Sequence, residues 1–470
     1  MATRIEKDSM GERELPDSVY YGIQTLRALE NFPISGIRPL PAYVDACVLI
    51  KKATALTNGE LGCIPREIAA AIVQACDEIL AGSLRDQFVV DIYQAGAGTS
   101  HHMNVNEVLA NRALEILGLG KGCYERLSPN DHVNYGQSTN DVIPTAIRLG
   151  AALTLEQVLS GLDQVVAALE EKATAFQGII RSGRTHLQDA VPVRLGENLR
   201  AYAVIFRQHQ LWVGQARHSL YGLGLGGSAA GTGINTHPDY VPRVIQHLQT
   251  LTGLPLHPAP HPMAAMQSMA PFVQVSGSLR NLAQDGIKLA NDLRLLDSGP
   301  ATGLKEIALP PVQPGSSIMP GKYNPVMAEM LNMVCFQVLG LDTAITYAAQ
   351  AGQLELNVMM PLIAFDLLHS IQILGQGLQV FAQRCLAGIT ANPERCRYFA
   401  ESSLALVTAL NPHIGYLAAA EVAKESLHSG RPIPEVVLAK KLLTPEQLAA
   451  ILDLEAMSQI QWPPSGESND

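Results

Sequence analysis

The stretch Gly315-Ser316-Ser317-Ile318-Met319-Pro320-Gly321-Lys322-Tyr323-Asn324-Pro325 sets two hydroxyls, an ammonium and an amide side by side, directly after Pro314. Gly and Pro at this density make a loop, and loops held on a rigid scaffold are where binding and catalytic groups concentrate. The chemistry on offer is a hydroxyl acting as nucleophile or base, beside groups able to clamp a carboxylate. The same residues also suit an ordinary turn, since Pro-Gly is a type II pair and neighbouring serines commonly bond nearby backbone. A phosphate loop is excluded. That motif needs four residues between its glycines and Ser or Thr after Lys, whereas five separate Gly315 from Gly321 and Tyr323 follows Lys322.

Four other polar segments fall in loops or at element ends: Gly98-Thr99-Ser100, Gln137-Ser138-Thr139-Asn140-Asp141, Gly183-Arg184-Thr185-His186-Leu187-Gln188-Asp189 and Gly233-Ile234-Asn235-Thr236. Taken singly, each reads as turn or cap chemistry, with Asn140 or Asp141 a candidate helix cap. Gly222-Leu223-Gly224-Leu225-Gly226-Gly227 satisfies G-x-G-x-x-G, but it follows a helical stretch (Leu199–Tyr221) and shows no βαβ unit, so dinucleotide binding is not expected. His101 and His102 are adjacent and would face different ways, and the nearby acids lack a metal spacing. An ordinary polar role is expected there, and no metal site.

The elements that must position these groups are helical. Stretches near 43–58 and 66–82 have helical patterning, and a long run from Asn140-Asp141, with Pro144 just inside, extends to about Phe176. The strongest periodicity is Phe272, Val275, Leu279, Leu282, Gly286, Leu289, Leu293 and Leu296, in alternating steps of three and four. That is the seam of a long bundle helix, with Gly286 allowing close approach of a neighbour. From Pro325 to about Gln350 apolar residues occur on every side, so this helix is expected among other helices in an oligomer core. Shorter helices follow Asn392-Pro393, and the polar end at 463–470 reads as a disordered tail.

The 470-residue chain is 47% hydrophobic and 16% charged, the composition of a folded protein with a large core. A net charge of −10 argues against nucleic acid and anionic membrane as partners, so any bound anion must be held by local groups. Seven scattered cysteines, none in a C-x-x-C pair, suit a reducing compartment, and the N-terminus lacks the apolar core of a signal peptide. A cytoplasmic location is expected.

Together, the five polar segments resemble the conserved regions of the aspartase/fumarase superfamily in order and spacing. The resemblance runs from Arg4-Ile5-Glu6-Lys7-Asp8 and Tyr20-Tyr21-Gly22, through Met103-Asn104-Val105-Asn106-Glu107-Val108, to Asn411-Pro412-His413-Ile414-Gly415. It implies a mainly α, three-domain fold with a long central helical bundle, built as a homotetramer whose sites are each assembled from three subunits. The domains would be 1–137 (mixed, mostly helical), 138–392 (the bundle, carrying the 315–325 loop) and 393–470 (small and helical).

The resemblance also implies roles. Thr99, Ser138 and Thr139 would hold the β-carboxylate of a dicarboxylate substrate, with Ser317 helping to hold the extra charge of an aci-carboxylate intermediate. Asn140 and His186 would contact a leaving amino group, Thr185, Lys322 and Asn324 would hold the α-carboxylate, and Ser316 would take the C3 proton. The loop would close as a lid, and no cofactor is implied. Within the superfamily, Thr139 in place of a second Ser, and Ser128 where fumarases typically place His before proline, lean towards the aspartate ammonia-lyase branch. Gly96–Ser100, Leu356–Met359 with Pro361, and Asn411-Pro412 lean the same way. Class II fumarase is the alternative, and a non-catalytic structural member the more distant one. His101-His102, Tyr323 and Met360 depart from the usual pattern.

Overall fold

In the computed structural model residues 2–460 are described; the expected tail at 463–470 lies outside them. Helices dominate, and the strands of the described residues pair only in two-stranded ribbons. Those that matter for the site are α1 (Pro41–Glu60), α2 (Arg66–Leu80), α3 (Thr99–Ile116), α4 (Thr139–Ala175), α5 (Leu195–His218), α6 (Tyr240–Thr252), α7 (Ala270–Asp297), α8 (Val326–Gln350) and α9 (Met360–Arg384). Strands β1 (Ile180–Thr185) and β2 (Gln188–Arg194) form an antiparallel hairpin, and β3 (Gly222–Leu223) pairs in parallel with β4 (His257–Pro258).

The periodic stretches form the expected helices. In α7 the seam residues Phe272, Val275, Leu279, Leu282, Leu289 and Leu293 are all buried. The start of α4 differs in detail. Ser138, not Asn140 or Asp141, stands at the cap: its Oγ accepts the Asn140 N–H at 3.2 Å while Asp141 Oδ1 accepts the Ser138 N–H at 3.0 Å. This reciprocal pair works as a capping box with Asp in the third position.

Packing divides the protein into two units. The first takes the N-terminal stretch through Ser160 with His209–Gln284 and Val334–Gln376; the second takes Gly161–Gln208, Asp285–Met333 and the chain from Gly377 onward. Helices α4, α5, α7, α8 and α9 each contribute residues to both. Because the units are discontinuous in sequence, they neither draw nor remove the boundaries expected after 137 and 392.

Both α4 and α8 are long and apolar enough to cross a membrane, but 72% of the apolar window of α4 is buried in the protein, as in a core helix. Along α8, Met333, Phe336 and Tyr347 stay exposed, so part of its apolar surface is uncovered in a single chain.

In the second unit, the hairpin that carries Thr185 and His186 is anchored against the end of α4. Leu195 N–H donates to Ile179 O at 2.8 Å and Gly196 N–H to Phe176 O at 3.2 Å. A Cβ at Gly196 would stand 2.3 Å from Ala173 O and 2.9 Å from Gln177 backbone, a close approach that only glycine permits. Gly196→Ala should therefore destabilise the protein by about 1–3 kcal/mol, as overpacking does, read as a lowered denaturation midpoint against wild type.

Candidate active site

In the first unit, two helix N-termini meet. Thr99 opens α3 after a turn in which Ala97 (φ +63°) and Gly98 (φ +89°) are left-handed, and the Ala97 N–H is tied to Val358 O at 2.8 Å. One turn along α3, His102 Nδ1 lies 2.8 Å from the Oγ1 of Thr139, the first residue of α4. Free N–H groups and the positive ends of the helix dipoles make such ends natural carboxylate sites, and Thr99 and Thr139 add hydroxyls to them.

Asp141 locks this arrangement from below. It is fully buried and accepts N–H groups from Ser138 (3.0 Å), Gly226 (2.9 Å) and Ser228 (3.0 Å). Burial raises its pKa to about 6 while these three N–H groups oppose the shift. The anion cradled by the G-x-G-x-x-G loop is thus the protein's own carboxylate, which is why the motif need not bind a dinucleotide. A small parallel pair with an intervening helix does exist here, as β3, α6 and β4. Sequence reading missed it because two residues per strand carry no periodicity. Asn140 secures the same loop by donating Nδ2–H to Ala229 O at 2.8 Å, leaving one amide N–H and its carbonyl for other work.

The second unit holds the other candidates. Thr185 pairs with Gln188 across a two-residue turn in which His186 (φ +54°) and Leu187 (φ +59°) are both left-handed. A type I′ turn normally takes Asn and Gly in these places, so two residues with full side chains store strain that a functional position can justify. Thr185 and His186 are exposed at the tip. Below them, Glu306 Oε2 receives Arg184 Nη1 at 2.7 Å and Arg181 Nη2 at 3.2 Å, with Glu306 fully buried. Arg181 also donates to Asn198 Oδ1 at 3.0 Å.

The 315–325 segment forms the expected turn, with its candidate side chains arrayed around it. Gly321 (φ +79°) and the 3.4 Å bond from Lys322 N–H to Met319 O make that turn. The neck is closed by Gly315 N–H to Lys322 O (2.8 Å) and Asn324 Nδ2–H to Gly315 O (2.6 Å). A Cβ on Gly315 would stand 2.6 Å from Lys322 O and Asn324 N, so glycine is required there. Ser316 Oγ accepts N–H groups from Ile318 (3.2 Å) and Met319 (3.0 Å), while Ser317, Lys322 and Tyr323 are exposed.

The structure thus brings Thr99, Ser138, Thr139 and Asn140 onto adjoining elements of one unit. It places Thr185 and His186 on a hairpin tip, and Ser316, Ser317, Lys322 and Asn324 on a pinned loop, of the other. Asn324 spends one amide N–H on the loop neck, and Ser128, the residue used to weigh the branches, caps the turn Pro129–Val133 by accepting the Asn130 and Asp131 N–H groups. Sequence reading passed over Lys51 and Glu306 and gave His102 only an ordinary polar role. Lys51 could have been found: it falls in helical register with Val44, Cys47 and Val48 on a buried stripe, where a lysine needs partners.

Comparison with known proteins gives the family. Residues 11–340 match the family model described as lyase, and residues 406–459 match the fumarase C C-terminus. Aspartate ammonia-lyase of Bacillus subtilis is 48% identical over 97% of this chain and 96% of its own length; that of Escherichia coli K12 is 46% identical over 96% and 95%. The chain belongs to the aspartase/fumarase superfamily. Within it, the fold superposes on a Brucella melitensis protein described as fumarate lyase:delta crystallin bound to cobalt, with TM-score 0.94, 48% identity and coverage of 98% and 100%. It superposes equally on class II fumarase of Schistosoma mansoni, with TM-score 0.94 but 37% identity, over 97% and 99% of the two chains. The superfamily fold is therefore shared by both branches, and identity is higher on the ammonia-lyase side.

Removing the carboxylate beneath the hairpin would leave two partly buried guanidiniums facing each other. Glu306→Ala should cost about 3–5 kcal/mol of stability, the usual penalty for breaking a buried pair. Thermal melting with and without Glu306 checks this, and a melting point equal to wild type would show the two arginines to be otherwise satisfied.

Proposed function

We propose that this chain reversibly deaminates L-aspartate to fumarate and ammonia by anti elimination, without a cofactor. The observation that carries the proposal is the 46–48% identity, over nearly the whole length, to proteins named aspartate ammonia-lyase. Every position that the resemblance singles out is occupied here by a residue competent for its role.

The chemical difficulty is the proton at C3. Taking it places a second negative charge on the neighbouring carboxylate, so donors aimed at that growing charge are the largest catalytic term. Thr99, Ser138 and Thr139, at the starts of two helices, supply such donors for the β-carboxylate, and Ser317 adds another. Ser316 takes the proton. Serine is a weak base at its ordinary pKa, and two features favour its alkoxide: the Ile318 and Met319 N–H groups already directed at Oγ, and Lys322 in the same loop. Lys322, Asn324 and Thr185 hold the α-carboxylate, and Asn140 and His186 attend the leaving amine. Closure of the loop over substrate would exclude water from the alkoxide.

The working enzyme on this reading is a cytoplasmic homotetramer with each site drawn from three subunits. Support comes from the uncovered apolar residues of α8. The seven cysteines, all free, are compatible with a reducing compartment.

Incubating purified protein with L-aspartate should raise fumarate absorbance; silence with aspartate and a strong response with L-malate would reassign the chain to fumarase. Ser316→Ala should lower turnover by about a hundredfold to ten-thousandfold, the range for losing a general base, with melting temperature and solution mass unchanged. Retained activity would remove Ser316 from the role of base.

A further inference from the structure

Lys51 on α1 is a buried cation that the mechanism above does not use. Its side chain is 0% exposed, and its Nζ lies 2.7 Å from His102 Nε2, 2.9 Å from Asn134 Oδ1 and 2.9 Å from Gln137 Oε1. The amide orientations are fixed independently. Asn134 Nδ2–H donates to Gln137 O (3.2 Å), and Gln137 Nε2–H to Val133 O (3.0 Å) and Tyr135 O (3.3 Å), so both amide oxygens must face Lys51. Three N–H bonds of an ammonium meet three acceptors. Burial draws the Lys51 pKa down to about 7, with Cys47, Asp141 and Cys76 acting in the opposite direction. A neutral amine would offer only two N–H groups to this shell.

The polarity of the next link follows. If His102 Nε2 accepts from Lys51, the ring proton sits on Nδ1 and donates to Thr139 Oγ1 at 2.8 Å. His102 is itself buried, and desolvation, followed by the neighbouring ammonium, holds its pKa well below the usual histidine value, so the ring is neutral with one N–H. Thr139 Oγ1 has no other hydrogen bond among the described residues. With the imidazole N–H on one lone pair, the hydroxyl proton is directed away from His102 and is free to donate to a further acceptor.

We infer that Lys51 and His102 are positioning residues: the ammonium, relayed through the imidazole, fixes the Thr139 hydroxyl as a donor to the substrate carboxylate and backs it with positive charge. The inference rests on Thr139 holding the β-carboxylate. That group gains charge as C3 loses its proton, so the relay acts mainly on turnover and less on ground-state binding.

A double-mutant cycle on aspartate turnover tests it. His102→Phe should lower kcat by about tenfold to a hundredfold, the worth of a charge-assisted hydrogen bond, with a smaller change in KM. Thr139→Val should lose a similar factor, and the double variant should be no slower than Thr139→Val alone. His102→Gln, which keeps an acceptor and a donor on one amide, should recover part of the loss. Multiplicative losses in the double variant, or an unchanged kcat in His102→Phe, would overturn the relay. Lys51→Met should behave as His102→Phe does; if it fails to fold, the His102 and Thr139 variants decide alone. A wild type that does not turn over aspartate removes the proposed function and the relay together, whereas an active wild type with independent losses removes only the relay.

Discussion

Asp141 carries negative charge into the interior at the start of the longest helix, and a buried carboxylate persists only where donors surround it. Its three N–H partners come from both sides of a chain gap: one from the residue that caps α4, two from the loop at 226–228. The first turn of α4 and the glycine-rich loop are therefore fixed to each other. Ser138, Thr139 and Asn140 sit on that turn and inherit its rigidity. Hydroxyl groups on a wobbling loop would lose the pre-organisation that makes them better than water at stabilising charge.

Charge placement also reconciles an acidic protein with a dianionic substrate. The chain carries −10 overall, which offers no general attraction to dicarboxylates. On the proposed reading the attraction is local: helix ends, hydroxyls and Lys322 on the loop, with Lys51 held beneath the candidate residues of the first unit and Arg181 and Arg184 beneath those of the second. Buried cations of this kind are expensive to keep, and each is matched here by oxygen or nitrogen acceptors within hydrogen-bond distance.

Much of this was legible in the sequence, for physical reasons that can be named. The α7 seam is a strict periodic signal over eight positions, and α4 and α8 are long enough for pattern to outweigh noise. The candidate site was visible only as a set of ordered motifs, since each segment by itself has the composition of a turn. The rest depended on three-dimensional placement. A two-residue strand has no period, so β3 and β4 could not be read. Whether the glycine loop binds a phosphate or a carboxylate turned on Asp141, which lies 85 residues from Gly226 along the chain. A histidine pair gives no indication that His102 would meet Thr139 while His101 stacks on Tyr43, with ring centroids 4.3 Å apart.

The pinned neck of the 315–325 loop has a consequence for the entropy of reaching the reactive state. Covalent chain and the two neck bonds make a closed ring, and the Ser316 turn stiffens it from within. The relative placement of Ser316, Ser317 and Lys322 is thereby restricted on folding, and, in the proposed reaction, part of the torsional freedom that a plain eleven-residue loop would surrender at each turnover is gone before substrate arrives. Pro314 and Pro325 flank the ring, and their φ angles, fixed by chemistry, narrow the remaining freedom further.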